Sequence, residues 1–211
     1  KNDRQDSDER PVGDFALMKK MGVNTLRLYH HSMNKELLGR LYEEYGIRVI
    51  MGDLLGMYAV GSGAEWYKGT DYTDPAQREK MKESVRAMVN EYKDEPYLLL
   101  WMLGNESNYG EVGDPDPQSG RPGTGSQART QPEALYPFVN EVAGMIKEMD
   151  PNHLVGFSNG DVVTIDILAK NSHNIDVFGC NAYRGRHGFG RSLWEDVRRF
   201  LDKPVLFTFA V

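Results

Sequence analysis

Tyr97-Leu98-Leu99-Leu100-Trp101-Met102-Leu103-Gly104-Asn105-Glu106 reads as a short strand, apolar on both faces, that stops abruptly on two polar side chains. A continuous apolar run of this length belongs to a parallel sheet covered by helices, whereas a half-solvated strand would alternate. Pro96 stands just before it, where a missing backbone donor does no harm. In α/β proteins ligands bind at the carboxyl edge of such strands, because loops there vary while the strands hold their ends rigidly. A glutamate placed there is partly desolvated, which favours the neutral form that donates a proton. Glu106 is therefore the first candidate for acid/base chemistry; the duller alternative is a residue that merely starts a surface loop.

Outward from this strand the chain alternates helix and strand. Before it, Asp14 is placed to cap a short helix through Lys20, and Val23 to Tyr29 is β-rich. Asn34 caps a helix from Lys35 to Tyr45 that Gly46 stops, and Ile47 to Met51 is a strand ending at Gly52-Asp53. A Gly-rich aromatic loop, Leu54 to Tyr72, precedes a long amphipathic helix opened by Asp74-Pro75 and running to about Lys93. After the opening strand comes a Gly-, Pro-, Ser- and Asp-rich insertion, Glu111 to Gln131, and then a helix from Glu133 to Met149. His153 to Phe157 is a strand ending at Ser158-Asn159-Gly160-Asp161, followed by a short helix from Val162 to Ala169. Ile175 to Gly179 is a strand ending at Asn181-Ala182-Tyr183, Ser192 to Asp202 a helix, and Pro204 to Thr208 the final strand.

No hairpin signal joins two adjacent strands, so a crossover helix returns the chain each time and the strands are parallel. An open doubly wound sheet and a closed (β/α)8 barrel both fit. No Gly-x-Gly-x-x-Gly follows the first strand, which weakens the nucleotide-binding open sheet. Polar groups at successive strand ends, Arg27, Asp53, Asn105-Glu106, Asn159-Asp161 and Asn181-Tyr183, suggest a barrel mouth. Leu98, Leu100, Val49, Val155 and Val177 are expected to be nearly inaccessible to solvent. Six strands leave two barrel strands missing, and the 211 residues are expected to form a single domain, 1–211, incomplete at both ends. The chain opens without Met on a polar run from Lys1 to Arg10, as a processed or partial chain would.

Composition narrows the partners. Hydrophobic residues make up 40% and charged residues 27%, and 25 basic against 31 acidic side chains give a net charge of −6. With no basic run among the aromatics, neither nucleic acid nor an anionic membrane is an expected partner. The single Cys180 cannot form an internal disulfide. No segment approaches a transmembrane span or a signal peptide. His30-His31 suggests a metal site, but neighbours on a strand face opposite ways and a third ligand is not evident, so no metal and no cofactor is expected.

Leu26-Arg27-Leu28-Tyr29-His30, Trp101 to Glu106, Asn181-Ala182-Tyr183 and Lys203-Pro204-Val205-Leu206-Phe207-Thr208 occur in that order. Together they resemble the catalytic barrel of clan A glycoside hydrolases, most closely family 2 of β-galactosidases and β-glucuronidases, over barrel strands two to seven. The resemblance implies a hydrolase acting on β-linked glycosides with retention, with Glu106 as general acid/base and a carbohydrate as substrate. It implies that Asn105 bonds the sugar 2-hydroxyl, that Arg27 and Tyr183 orient the nucleophile, and that His30 and Asn181 lie near the sugar. Trp66, with Tyr58, Tyr67 and Tyr72, is a candidate for stacking on sugar rings or for the loop's own small core. Asp53 and Asp161 are candidate hydroxyl ligands or loop caps. Further domains or the missing barrel strands are expected partners.

The sequence departs from that pattern at one position. A retaining enzyme needs a second carboxylate about 5–5.5 Å from the first, and in the family it follows the Lys-Pro strand directly. Phe209 stands there instead, followed by Ala210 and Val211. A fragment with an unreliable end, an engineered or degenerate chain, and a barrel of different chemistry each account for this; the first is preferred. A non-catalytic carbohydrate-binding barrel is the reading from a different class, and a β-glycan transglycosylase is a variant of the enzyme.

Overall fold

The computed structural model describes residues 13–31, 33–66, 68–109 and 131–210. Six strands, β1 (Thr25–Arg27), β2 (Arg48–Asp53), β3 (Leu98–Leu103), β4 (Leu154–Gly160), β5 (Val177–Ala182) and β6 (Val205–Ala210), pair in sequence order, every pair parallel. Helices α1 (Asp14–Lys20), α2 (Lys35–Tyr45), α3 (Pro75–Tyr92), α4 (Pro132–Met149), α5 (Ile165–Asn171) and α6 (Arg191–Phe200) alternate with them. This is a curled part of a (β/α) barrel, with β1 and β6 as the two edges of the sheet.

Local chemistry sets the helix ends. The Asn34 side chain accepts from Leu37 N, and Gly46 closes α2 in the left-handed conformation that an L side chain resists. Asp74 accepts from Ala76 N and Gln77 N and Pro75 fills the first turn of α3, where its missing donor is harmless. At α1 the expected cap differs: Gly13 occupies the cap and Asp14 lies in the first turn, where its charge complements the positive helix end without a capping bond. α5 starts at Ile165 rather than Val162, because Thr164 is left-handed and belongs to the preceding turn.

The two faces of the sheet pack differently. Val49, Met51, Trp101, Leu103, Val155, Phe157 and Phe178 join the main core under the helices. Trp101 also donates its Nε1–H to Asp150 Oδ2 at 2.9 Å, so its buried polar atom is satisfied. Ile50, Leu100 and Met102, with Leu206 against them, form a second cluster on the concave face. Met102 fills that side because Gly156 and Gly179 face it; a Cβ on Gly156 would meet Met102 Cε at 2.8 Å. The five residues expected to be inaccessible are all buried, Leu100 being the most exposed at 8%.

Three strands run past their apolar stretches. β2 continues through Gly52-Asp53, β4 through Ser158–Gly160 and β5 through Cys180–Ala182, because the parallel ladder needs backbone groups and not apolar side chains. At Gly52 the ladder comes so close to the end of β1 that a Cβ would lie 2.3 Å from the Leu28 carbonyl oxygen. Backbone cannot swing aside as a side chain does. Gly52→Ala is expected to cost about 3 kcal/mol of stability, measured as a lowered urea midpoint; an unchanged midpoint would contradict this placement of β1 against β2.

Candidate active site

Gly104-Asn105-Glu106 turns the chain sharply at the end of β3. Gly104 and Glu106 both have left-handed backbones, φ 65° and 56°, and for a glutamate that conformation costs on the order of 1 kcal/mol. The surroundings hold it. Gly104 N donates to Asp53 O at 2.8 Å and Glu106 N to Ser158 O at 3.0 Å, tying the turn to β2 and to β4. Asn108 then grips Gly160 with both ends of its amide, accepting from Gly160 N at 2.7 Å and donating to Gly160 O at 3.0 Å. No Cβ fits at Gly104, which lies against Phe157, or at Gly160, which lies against the Tyr109 ring.

Around this turn side chains from five strand ends converge. Asn181 Nδ2 donates to Asn105 Oδ1 and to Glu106 Oε1, each at 3.0 Å. The Tyr183 hydroxyl donates to Glu106 Oε1 at 2.6 Å. Arg27 donates to Asn105 Oδ1 at 3.3 Å, to Gly104 O at 3.2 Å and, across the concave face, to Thr208 O at 3.3 Å. Its guanidinium carbon also lies 4.4 Å from the centre of the Tyr29 ring. Thr208 Oγ1 donates to Asn181 Oδ1 at 2.6 Å and Ser158 Oγ lies 3.2 Å from the same oxygen, so the Asn181 amide is fixed at both ends.

The electrostatics follow from that crowding. Burial draws the Arg27 guanidinium below its ordinary pKa, while the nearby Tyr29, Glu106 and Tyr183 act against the shift. The Tyr183 phenol is pushed far up, by burial and then by its bond to Glu106, so it remains a donor. Glu106 is partly buried. One of its oxygens accepts two hydrogen bonds, while Oε2 accepts none among the described residues.

The structure thus brings Arg27, Asn105, Glu106, Asn181 and Tyr183 together. Asp53, expected as a hydroxyl ligand or a loop cap, lies outside this cluster and bonds the loop that follows it. Asp53 shares the helix-facing side of β2, is 5% exposed, and accepts from Leu55 N at 2.8 Å and Ser84 Oγ at 2.7 Å, with His31 Nε2 3.4 Å away. Its oxygens are committed to packing the loop. His30 is exposed and has no hydrogen-bond or ion-pair partner among the described residues. Trp66, 42% exposed, stacks on Tyr58 in the loop after β2 and stands outside the hydrogen-bonded cluster. Tyr72 is buried core, donating to Leu55 O, and Tyr67 lies outside the described residues, as does the insertion up to residue 130. Asp161 pairs with Arg184 at 2.7 Å and caps its own turn. Among the described residues, no group of three or more His, Cys, Asp or Glu side chains is placed to hold a metal ion.

Thr208, Ser158 and Asn108 had no expected role. Ser158 was legible by alternation: it lies two residues beyond Gly156 on the concave side of β4. The Tyr183 hydroxyl bonds Glu106 itself.

Comparison with known proteins gives the family. The family model described as glycosyl hydrolases family 2, TIM barrel domain, matches residues 5–185. A probable mannan endo-1,4-beta-mannosidase C from Aspergillus terreus is 30% identical over 105 residues, 48% of this chain and 23% of that protein. A beta-galactosidase from Priestia megaterium is 32% identical over 107 residues, 49% of this chain and 10% of that protein. The crystal structure of Bacteroides uniformis beta-glucuronidase superposes with a TM-score of 0.64 at 19% identity, over 93% of this chain and 22% of that one, a likeness of fold. The chain spans less than a quarter of each of these relatives. With the family model covering most of its length and six strands in barrel order, the chain belongs to glycoside hydrolase family 2, as part of its TIM barrel domain.

Proposed function

We propose that this chain carries the acid/base half of a retaining β-glycosidase site. Glu106 protonates the departing glycosidic oxygen and later takes a proton from water, Asn105 bonds a sugar hydroxyl, Asn181 holds Asn105 and Glu106 in place for the sugar, and Arg27 and Tyr183 hold the carboxylate side of the site. The observation that carries this reading is the double donation of Asn181 and Tyr183 to one oxygen of Glu106, which leaves the other without a hydrogen bond among the described residues. Arg27 also keeps a buried Nε–H without an acceptor, so the cluster has donor capacity for one more oxygen. The substrate class, a β-linked galactoside, glucuronide or related sugar, is inferred from relatives named beta-galactosidase and beta-glucuronidase.

The second reading, a carbohydrate-binding barrel without turnover, is favoured by Phe209, which removes the nucleophile. Both readings require sugar binding at the same cluster, and the test begins there. Titration of the chain with methyl β-D-galactopyranoside and methyl β-D-glucuronide is expected to give saturable binding to one of them. Asn181→Ala should weaken it about tenfold, the cost of losing a hydrogen bond to a charged or multiply bonded group. Absence of binding, or binding indifferent to both Asn181→Ala and Glu106→Ala, would remove the site from Glu106. Turnover then separates the two readings.

A further inference from the structure

From the loops that follow β4 and β5 we infer a positioning pair: the Asp161–Arg184 ion pair holds Tyr183 in place, so that its hydroxyl stays on Glu106. What this does for the chemistry rests on the reading of Glu106 as the acid/base. Tyr183 needs such support. It is 50% exposed and lies one residue past the end of β5, where the ladder no longer fixes it. The chain beyond it is open. Residues 183–186 are all exposed, and Gly185 and Gly188 are left-handed. A Cβ at either glycine would meet no atom of the described residues within 4 Å. Packing that loose does not by itself keep a phenol 2.6 Å from one carboxylate oxygen.

Arg184 supplies the hold. Its Nη2 donates to Asp161 Oδ1 at 2.7 Å, joining the loop after β5 to the loop after β4. Asp161 is the fixed partner, its side chain 14% exposed against 38% for Arg184. Its backbone is left-handed, φ 49°, which a non-glycine residue keeps only where the surroundings over-determine it. Here they do. Asp161 N donates to Asn181 O at 2.9 Å, and Asp161 O accepts from Asn159 Nδ2 at 2.9 Å. Val162 N donates at 2.8 Å to the same Oδ1 that Arg184 meets. Gly160, just before Asp161, is gripped by Asn108, two residues after Glu106. The contacts therefore close a ring from Glu106 through Asn108, Gly160-Asp161, Arg184 and Tyr183 back to Glu106. An exposed ion pair adds little to global stability, so its effect is local, on where Tyr183 sits. The Tyr109 phenol, raised first by burial, also feels Asp161, Glu106 and, in the opposite sense, Arg184, which places these charges at one corner of the mouth.

A tyrosine titration tests the pair without any sugar. The Tyr183 phenol is held far above its ordinary range, by burial and then by its bond to Glu106, with Tyr29 and Tyr109 also facing it. In a chain labelled with carbon-13 at the tyrosine ζ position, the Tyr183 signal is assigned by its loss in Tyr183→Phe. It should stay phenolic beyond about pH 11. Arg184→Met and Asp161→Asn should each bring it down among the exposed tyrosines, near about pH 10, while Arg184→Lys keeps most of the shift. Loss of the Arg184 cation alone would raise a nearby phenol, so a fall in Arg184→Met reports release from Glu106 and not the missing charge. The urea midpoint of Arg184→Met should be unchanged. If Asp161→Asn loosens its strained turn and lowers the midpoint, Arg184→Met decides. A Tyr183 signal that titrates alike in the intact chain and in Arg184→Met overturns the pair. Titration with methyl β-D-galactopyranoside and methyl β-D-glucuronide then reads the consequence. Arg184→Met and Tyr183→Phe should each weaken binding about threefold, and the double variant no further, because Arg184 acts through Tyr183. Additive losses overturn Arg184 as a positioning residue. Absence of glycoside binding, with the tyrosine signal moving as described, upholds the pair and overturns the Glu106 reading.

Discussion

Phe209→Glu, made in a chain that carries two further strands to complete an eight-stranded barrel, is expected to raise β-glycoside turnover at least about a thousandfold over the unsubstituted form. Retention requires a carboxylate that attacks the anomeric carbon while the acid protonates the leaving oxygen, and neither group replaces the other. The β5–β6 register pairs position 209 with Asn181, whose amide already touches Glu106 Oε1 at 3.0 Å. Arg27 bonds Thr208 O, on the preceding residue, and has an Nε–H to spare. Aryl β-glycoside hydrolysis is the measurement, with the configuration of the first-formed sugar read by NMR. A folded, sugar-binding variant that stays inert would place the nucleophile elsewhere and dismiss the two-carboxylate mechanism.

The parallel order of the strands was legible because helical patterns separate the apolar runs and no hairpin signal joins two of them. Where sequence reading stopped short, the cause was chemical. β4 and β5 continue through polar residues that the ladder accepts: Ser158 and Asn181 lie on the concave face with the site, while Asn159 faces the helices, where Tyr136 donates to its Oδ1 at 2.9 Å. The placement of Asp53 was readable but not read. It shares a period of two with Val49 and Met51, both in the helix-side core, so its side chain had to point away from the mouth. Asn181 follows Gly179 and Val177 on the opposite face by the same count. The turn at Leu55, Tyr58 and Ala59 was beyond sequence reasoning in kind, since three left-handed non-glycine residues are dictated by tertiary contacts and not by propensity.

Glu106→Gln in the Phe209→Glu background is expected to divide substrates by their leaving groups. Glutamine keeps the acceptor oxygen that Asn181 and Tyr183 bond, so the side chain retains its place and only the exchangeable proton is lost. An alkyl or sugar alkoxide leaves poorly without that proton, and its release should slow by about a thousandfold, within the range of general-acid catalysis. A nitrophenolate leaves without help, so attack by the introduced carboxylate should proceed nearly unimpaired. Its product, the glycosyl-enzyme, would then accumulate, because water now lacks the base that takes its proton as it attacks. The signature is a burst of nitrophenolate equal to the enzyme concentration, followed by slow turnover. Added azide, an anion with no proton to lose, should restore the second step and release a β-glycosyl azide. Equal losses on both substrates, or no burst, would remove Glu106 from proton transfer and leave it only as a sugar ligand.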